Sequence, residues 1–269
     1  MKFTFDAKPV LKWAGGKQAL ADRLIRFFPD KFSRYYEPFV GGGSVLLSLQ
    51  PERAVIGDLN DWLLDTYVAI RADHMKVAEH LDVMVNTREE FERVRAVQPD
   101  TLDLFQRAAH LIYLNKTCFR GLFRVNRKGQ FNVPYGAYNR RYYDPENLGA
   151  VANCLCNAEI RHADFELCLA GVTPDDFVYL DPPYYKQGGF SDFDRYTKFK
   201  FKENDQVRLA ANCRELDDRG VRWAVSNSDT PFVRSLFEGF KLHDIANRRE
   251  INLKSQERDI NELLITNYC

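Results

Sequence analysis

One segment limits the fold of this chain more than any other: Val178-Tyr179-Leu180-Asp181-Pro182-Pro183-Tyr184-Tyr185. Its first part is apolar and rich in β-formers, which is typical of a short buried strand. Two prolines then end the strand, because each lacks a backbone N–H and fixes φ. Asp181 is therefore expected at the carboxyl end of a strand, where open α/β sheets bind their ligands. Together, the carboxylate, a proline carbonyl and the tyrosines could bind a planar ring that carries an amino group. The Asp-Pro-Pro sequence alone is also compatible with a turn at a strand end whose aromatic residues pack on the core.

Two glycine-rich loops precede this segment. Gly15-Gly16-Lys17 stands before a helical pattern and fits either an anion site of backbone amides with an ammonium or a helix-capping turn. The spacing of a Walker loop is absent. Gly41-Gly42-Gly43 follows a predicted strand that ends near Glu37. Three consecutive glycines let a nucleotide-like ligand approach bare backbone.

Acidic residues close two more predicted strands. Asp58 ends the strand at residues 54–58 and lies 15 residues after Gly43. This spacing is close to the offset of about 20 residues at which an acidic residue binds the ribose hydroxyls in dinucleotide-binding folds. The alternative role for Asp58 is that of a helix N-cap. Residues 158–165 predict a strand ending at Asp164, and residues 221–226 and 262–266 predict two closing strands. Strands alternating with helical patterns predict an α/β protein with a doubly wound sheet.

The composition changes at residues 116–143, after three amphipathic helical patterns between residues 62 and 107. Seven residues of this segment are basic and none is acidic, with aromatic, asparagine and glycine residues between them. The sequence Arg127-Lys128-Gly129 predicts a hairpin tip. Such a segment offers cations for phosphates, forked side chains for base edges and aromatic rings for stacking. This combination favours a surface that binds nucleic acid, and the alternative is a solvated basic loop.

The formal net charge is zero, so contact with a polyanion must come from a local patch such as this segment. No apolar run approaches the roughly 20 residues of a membrane span, and the first residues lack the apolar region of a signal peptide. Six cysteines without paired spacing are typical of reduced thiols. We therefore expect a cytoplasmic protein, and no metal site, since Cys154 and Cys156 have no matching pair of ligands nearby.

Four motifs in this order resemble the Dam-like (D12 class, α-group) DNA adenine N6-methyltransferases. The basic segment lies between the third and the fourth motif and closes with Phe131-Asn132-Val133-Pro134-Tyr135-Gly136, as it does in that family. The resemblance covers nearly the whole chain. The motifs are Lys12-Trp13-Ala14-Gly15-Gly16-Lys17, Glu37-Pro38-Phe39-Val40-Gly41-Gly42-Gly43-Ser44, Asp58-Leu59-Asn60 and Asp181-Pro182-Pro183-Tyr184.

The resemblance implies a Rossmann-like class I methyltransferase sheet with an inserted, mainly helical target-recognition domain. The catalytic domain would comprise residues 1–62 and 158–269, and the inserted domain residues 63–157, with the basic hairpin at 116–143. The implied methyl donor is S-adenosyl-L-methionine, which leaves S-adenosyl-L-homocysteine as product. The residues implied to bind it are Trp13, Ala14, Gly15, Lys17, Glu37, Phe39, Gly41, Gly43, Ser44, Asp58, Asp164, Phe165 and Asp181.

Individual roles also follow from the resemblance. Lys17 would lie near the carboxylate of the donor, Asp58 would accept its ribose hydroxyls, and Asp164 would bind the amino group of its adenine. The implied catalytic residues are Asp181, Pro182 and Tyr184. The Asp181 carboxylate and the Pro182 carbonyl would accept N6–H bonds from a flipped-out adenine and aim its lone pair at the methyl group, while Tyr184 would stack on the ring.

The implied substrate is double-stranded DNA. Arg124 would suit a guanine edge, and GATC is the leading recognition sequence. Arg120 stands where the family often has asparagine, which leaves the flanking contacts open. A cognate restriction endonuclease is a candidate partner, and methylation of one strand at a time needs only a monomer. The residues implied to bind DNA are Lys116, Phe119, Arg120, Leu122, Arg124, Asn126, Arg127, Asn132, Pro134 and Tyr138.

Three other functions compete with this interpretation. A nicotinamide oxidoreductase also has glycine loops and a ribose-binding acid, but the Gly-x-Gly-x-x-Gly pattern is absent and the basic segment would have no use. A methyltransferase acting on RNA or on protein glutamine would use the same reactive loop, Asp181-Pro182-Pro183-Tyr184. Enzymes that methylate glutamine, however, generally carry asparagine at the position of Asp181. A DNA-binding protein that has lost catalysis would not need both Asp181 and Tyr184.

Overall fold

The computed structural model describes residues 6–126, 128–185, 201–248 and 259–269. Over these residues one sheet has seven strands in the order β3-β2-β1-β4-β5-β7-β6. The strands β1 to β5 are parallel, and β7 runs antiparallel between β5 and β6. The strands are Tyr35–Glu37 (β1), Ala54–Asp58 (β2), Ala158–His162 (β3), Phe177–Leu180 (β4), Arg222–Ser228 (β5), Lys241–Arg248 (β6) and Asp259–Thr266 (β7).

The strand order reverses between β1 and β4, which is where a doubly wound sheet opens a crevice for ligands. The predicted doubly wound, Rossmann-like α/β fold is confirmed. Helices cover both faces of this sheet. They are Ala21–Ile25 (α1), Ser44–Leu49 (α2), Asp61–Asp82 (α3), Arg88–Ala96 (α4), Leu104–Thr117 (α5), Pro145–Leu155 (α6), Phe165–Cys168 (α7), Glu203–Asp218 (α8) and Pro231–Leu236 (α9).

Alternate residues of the strands pack into two cores, as the two-residue period of a strand requires. Ile56 and Tyr179 belong to the core that also contains residues of α1 to α6. Val55 and Leu180 belong to the core formed with α7, α8 and α9. The sheet is therefore buried on both faces, and its carboxyl edge is left to carry the functional loops.

The four helices α3 to α6 connect β2 to β3. The backbone of α3 is non-helical at Asp73 (φ −161°, ψ 89°), so α3 is two helices joined by a kink, in agreement with the two amphipathic patterns of the sequence. Trp62, in the first turn of α3, donates its indole N–H to the Arg107 carbonyl of α5 at 2.7 Å. This segment is thereby attached to the sheet through the same core as β2.

The basic segment forms an irregular hairpin after α5. Isolated antiparallel bridges join Cys118 to Tyr135 and Val125 to Phe131. At its tip Gly129 has φ +77° and donates its N–H to the Asn126 carbonyl at 3.0 Å, as expected for a tight turn. Arg127, predicted to bind DNA, lies outside the described residues.

The predicted boundaries of three strands were wrong. The strand β3 ends at His162 and not at Asp164, because the Asp164 side chain accepts the Glu166 N–H and caps α7. The closing strands are longer than predicted, since β5 and β7 pair with each other and each extends beyond its apolar run. Within the described part of the chain, no helix combines the length and the apolar character that a membrane span requires.

Candidate active site

The carboxyl edge of the sheet opens into one large cleft. Its volume is about 2250 Å³, whereas a pocket for one drug-sized ligand has roughly 300–1,000 Å³. The cleft thus has room for more than one ligand. Its walls include residues of all four motifs and of the basic segment: Trp13, Ala14, Gly15, Lys17, Glu37, Phe39, Gly41, Ser44, Asp58, Asp181, Pro182, Tyr184, Lys116, Arg120 and Leu122.

Asp181 follows β4 and faces Lys17. The Lys17 Nζ atom lies 3.0 Å from Asp181 Oδ1, and the two side chains are 5% and 17% exposed respectively. The same ammonium donates to the Gly15 carbonyl at 2.8 Å. Because an uncompensated buried charge is costly, this contact accounts for a lysine at the base of the cleft. Lys17 therefore balances Asp181 before any ligand is bound.

Tyr184 and Glu262 complete this charged cluster. The Tyr184 hydroxyl donates to Glu262 Oε2 at 2.9 Å. Lys17 Nζ lies 4.0 Å from the same oxygen and 4.6 Å from the centroid of the Tyr184 ring. Glu262 belongs to β7, where it pairs with Ser228 of β5. One ammonium thus lies between two carboxylates and against an aromatic face.

The pKa of Asp181 is raised to about 6, chiefly by burial, while Lys17 opposes the rise and Glu262 adds to it. At neutral pH the side chain is mainly a carboxylate, which accepts hydrogen bonds and donates none. Asp181 is therefore suited to accepting N–H bonds from an amino group.

The loop at residues 41–43 is fixed between three side chains. The Gly41 N–H donates to Asp58 Oδ2 at 3.2 Å, and the Tyr67 hydroxyl donates to the Gly41 carbonyl at 2.7 Å. Gly41 has φ +47°, and a Cβ atom at this position would lie 2.9 Å from the ring of Trp13. Burial raises the pKa of Asp58 to about 6. The loop, which follows β1, is thus preformed beside the end of β2, where Asp58 provides an acceptor.

Three aromatic rings form a second wall. Phe39 stacks on Phe165 with ring centroids 5.5 Å apart, and Phe201 contacts both rings edge-on. The Arg208 guanidinium lies 4.7 Å from the Phe165 ring and pairs with Asp164 Oδ2 at 2.7 Å. Asp164, although it caps α7 instead of ending a strand, remains on the cleft wall.

The remaining predicted donor-binding residues differ in character. Glu37 is buried at the end of β1 and accepts the Tyr35 hydroxyl at 3.0 Å, and burial holds its pKa well above its usual value. Ser44 is buried at the start of α2. Ala14 and Gly15 form part of the cleft wall, and Gly15, with φ +74°, has open space beside its Cα atom.

In the basic segment, Arg124 is held by Asn132. Its Nε donates to Asn132 Oδ1 at 2.7 Å and its Nη2 to the Asn132 carbonyl at 3.0 Å. The Asn126 side chain accepts the backbone N–H groups of Lys128 and Gln130 at 2.9 and 3.1 Å. Both predicted asparagines are therefore engaged within the protein, Asn132 in orienting an arginine and Asn126 in shaping the hairpin tip.

The turn at Phe119 and Arg120 projects from the segment. Phe119 is 46% exposed, and Arg120 has the left-handed backbone conformation, with φ 60° and ψ 7°. The Arg120 N–H donates to the Tyr138 hydroxyl at 2.9 Å, and the Arg120 guanidinium lies 5.2 Å from the Phe119 ring. Burial lowers the pKa of Lys116 to about 8. Pro134 is exposed, and its carbonyl accepts the Phe119 N–H at 2.8 Å.

Comparisons with known proteins agree with this site. A family model described as D12 class N6 adenine-specific DNA methyltransferase matches residues 13–251. The chain belongs to this family. It is 39% identical to a protein named Type II methyltransferase M.MjaIII from Methanocaldococcus jannaschii, over 98% of this chain and 100% of that protein.

Two further relatives of the methyltransferase are similar over nearly their full length. Type II methyltransferase M1.LlaDCHI of Lactococcus lactis is 35% identical over 99% of this chain and 98% of the relative. The DNA adenine methylase of Escherichia coli K12 is 34% identical over 94% of this chain and 93% of the relative. The protein is therefore an adenine-specific DNA methyltransferase, as the sequence motifs predicted.

The sequence did not reveal several residues that shape the site of this methyltransferase. Glu262 lies in the closing strand, directly before the apolar run Leu263-Leu264-Ile265. A charged residue next to such a run is the signal that the sequence offers for it. Tyr67 and Arg208 lie on helices among ordinary amphipathic patterns. Their contacts with Gly41 and Asp164 depend on how the helices pack, which local spacing does not show.

Proposed function

We propose that this enzyme transfers a methyl group from S-adenosyl-L-methionine to N6 of an adenine flipped out of a short duplex site, with GATC as the leading sequence. The observation that carries the proposal is the buried Asp181–Lys17 pair at a strand end, in a cleft that also contains the glycine loop and the basic segment.

The residues of the cleft fit the proposed donor. The Asp58 carboxylate lies beside a glycine loop whose Gly41 tolerates no side chain, as a site for ribose hydroxyls requires. Phe39, half-buried on the cleft wall with Phe165 stacked on it, offers an aromatic face for an adenine ring. The Asp164 carboxylate, paired with Arg208, is the proposed acceptor for the amino group of that ring. When bound, the donor supplies an electrophilic methyl group. Lys17, assigned to the donor's carboxylate by resemblance, contacts Asp181 instead in this structure.

Asp181 and Pro182 would position the nucleophile. The amino nitrogen of adenine is a poor nucleophile because its lone pair is conjugated with the ring. Bonds from its N–H groups to the Asp181 carboxylate and the Pro182 carbonyl would favour a pyramidal nitrogen and direct the lone pair at the methyl group. Lys17 keeps Asp181 charged, so the pair contributes positioning and electrostatic preorganisation.

The target base would have to leave the duplex, because its N6 is out of reach in the stack. One face of the Tyr184 ring lies against the Lys17 ammonium, so the base would stack on the opposite face. Phe119, exposed at the turn of the basic segment, is an aromatic group that could contact the DNA.

Arg124 is the proposed guanine reader. Asn132 holds the Nε side of its guanidinium, so the plane is fixed and the outer Nη hydrogens remain for the O6 and N7 acceptors of guanine. This arrangement supports a guanine within the site and is consistent with GATC.

We also propose residues 63–157 as the target-recognition domain, monomeric action on one strand at a time, and a restriction endonuclease as partner.

Long-read sequencing of DNA from a methylation-free host that expresses the protein tests this function. Modified adenines within GATC would support both activity and site, and modification of another motif would correct the site alone. Unmodified DNA from correctly folded protein would reject the proposal.

The role of Asp181 is tested by Asp181→Ala, which should lower kcat by roughly 100- to 1000-fold, as loss of a preorganised group does. The melting temperature should remain that of a folded protein. Asp175→Ala, which removes an exposed carboxylate upstream of β4, should leave kcat unchanged. Near-normal turnover of Asp181→Ala would refute the assignment.

A further inference from the structure

Glu262 is a charged group of the cleft, next to Asp181 and Lys17, for which the proposed chemistry gives no role. It lies on β7 and lines the cleft, its side chain is 13% exposed, and it belongs to none of the four motifs. A carboxylate so little exposed requires compensation. The compensation comes from the Tyr184 hydroxyl at 2.9 Å and from Lys17 Nζ at 4.0 Å.

The geometry restricts Tyr184 in two directions. The hydroxyl of the ring is bonded to Glu262, and one face of the ring lies over the Lys17 ammonium at 4.6 Å. A ring held at its tip and on one face has a defined orientation and presents only its other face to a ligand. Charge-assisted hydrogen bonds of this kind are stronger than neutral ones.

The position of Glu262 in the sheet makes this anchor rigid. Its strand β7 lies between β5 and β6, and the neighbouring Leu263 and Leu264 are buried. Tyr184, in contrast, lies on the loop after β4. The contact therefore joins the reactive loop to an element of the sheet that is distant in sequence.

We infer that Glu262 is a positioning residue of the catalytic centre, which holds the Tyr184 ring as a fixed stacking surface for the target base and keeps Lys17 between the two carboxylates. The inference rests on the proposed function, since Tyr184 is the stacking residue of that mechanism. Glu262 itself touches neither the base nor the methyl group and acts through Tyr184 and Lys17.

A double-mutant cycle tests the contact with Tyr184. Tyr184→Phe and Glu262→Ala should each lower kcat about tenfold, the effect of losing one hydrogen bond to a charged group. The double variant should lose little more than the worse single variant, because both changes remove the same contact. Glu262→Gln keeps an acceptor for the hydroxyl and should recover most of kcat. The inference would be overturned if the double variant lost kcat by the product of the two single losses. It would also be overturned if the kcat of Glu262→Ala stayed within twofold of the wild-type value.

The pH profile provides a readout that a purely structural role would not move. Glu262 raises the pKa of Asp181, so Glu262→Gln should shift the acid limb of activity to lower pH. An unshifted limb would overturn the part of the inference that concerns Lys17 and the carboxylates.

The controls are matched to these variants. Tyr268→Phe removes a hydroxyl that has no hydrogen-bond partner among the described residues, and Glu238→Ala removes an exposed carboxylate. Both should retain wild-type kcat. Asp181→Ala is measured in parallel. If it retains activity, the proposed function of Asp181 fails, whereas the cycle still reports whether Tyr184 and Glu262 act together.

Discussion

Asp181, Glu262 and Lys17 place three ionisable groups in one little-exposed cluster. Two carboxylates share one ammonium, so the cluster has an excess of negative charge when all three groups are ionised. Such clusters are common where a protein tunes ionisation for chemistry. The raised pKa of Asp181, about 6, is the measurable consequence.

Activity should be lost as the pH falls through about 6. In the proposed mechanism the carboxylate form of Asp181 accepts the N6–H bonds, and a pKa raised to about 6 means that the group is protonated below this pH. Asp58 has a similarly raised pKa, and its protonation would weaken donor binding in the same range. The measurement is kcat/KM between pH 5 and pH 8.

The donor concentration separates the two carboxyl groups. At a low concentration of S-adenosyl-L-methionine, activity should fall with decreasing pH more steeply than the titration of one group, because protonation of Asp58 and of Asp181 both lower it. At a saturating concentration, the fall in activity should follow the titration of Asp181 alone. Activity that stays constant down to pH 5 would contradict the ionisation assigned to Asp181.

Arg120 adopts a backbone conformation that costs energy for a residue with a bulky side chain. Asparagine tolerates φ values near +60° better than arginine. Arg120→Asn should therefore raise the free energy of unfolding by about 0.5–1 kcal/mol. Urea denaturation measures this, with Arg140→Asn, at an exposed residue of the same segment, as the control. Destabilisation by Arg120→Asn would show that the guanidinium contacts outweigh the backbone strain.

At the scale of elements, α8 and β5 hold the reactive loop from behind. Gln206 of α8 donates to the Pro183 carbonyl at 2.8 Å and accepts from Asn227 of β5 at 2.9 Å. Asn227 Oδ1 in turn accepts the Tyr185 N–H at 3.3 Å. Both amide side chains are buried. The loop is thus fixed through its backbone, which leaves the side chains of Asp181 and Tyr184 to the ligand.

Asn227→Ala should release the loop. It removes the acceptor for Tyr185 and leaves a buried oxygen of Gln206 unpaired, which should cost about 1–3 kcal/mol of stability. We expect kcat to fall about tenfold or more through misplacement of Asp181, with donor affinity changed less than threefold. Stopped-flow turnover and donor titration measure both quantities.

Asn212→Ala on α8, the helix that carries Gln206, is the control, because the Asn212 side-chain oxygen is buried without a hydrogen-bond partner among the described residues. It should leave kcat unchanged. Equal losses of kcat in both variants would assign the effect to α8 in general and not to the contacts with the loop.

At the scale of the whole molecule, an aromatic cluster joins the donor side of the cleft to the basic segment. Phe123 stacks on Trp13 with centroids 5.0 Å apart and contacts Trp62 of α3 and Phe131 of the hairpin edge-on at 6.1 and 6.0 Å. The glycine loop also packs against Trp13. Three parts of the chain therefore share one core at this point.

Phe123→Ala should lower the free energy of unfolding by about 3–5 kcal/mol, the usual cost of truncating a buried phenylalanine. It should also weaken the binding of donor and of DNA together, because the cluster supports both sides of the cleft. Urea denaturation and titration calorimetry measure these effects. Phe119→Ala, which truncates an exposed ring four residues earlier, should change stability by less than about 1 kcal/mol. Loss of DNA binding alone in Phe123→Ala would contradict the shared support.

Local signals were sufficient to predict the fold class and the positions of the loops that line the cleft. Strand ends marked by Asp58 and Asp181, and glycines at positions 41–43, are local signals, because proline, glycine and a short apolar run act on the backbone where they stand. These signals predicted the carboxyl edge as the site, and the order of the four motifs predicted the family to which the chain belongs.

Which side chains meet in the cleft depended on how the chain packs, and local patterns did not predict it. Lys17 and Glu262 are 245 positions apart in sequence. Glu262 meets Tyr184 because β7 lies beside β5, whereas Lys17 meets Asp181 from the loop before α1. The end of β3 and the capping role of Asp164 likewise depended on contacts that form only on folding. Local patterns specify backbone geometry, whereas the charge balance of a buried site is a property of residues that the folded sheet brings together.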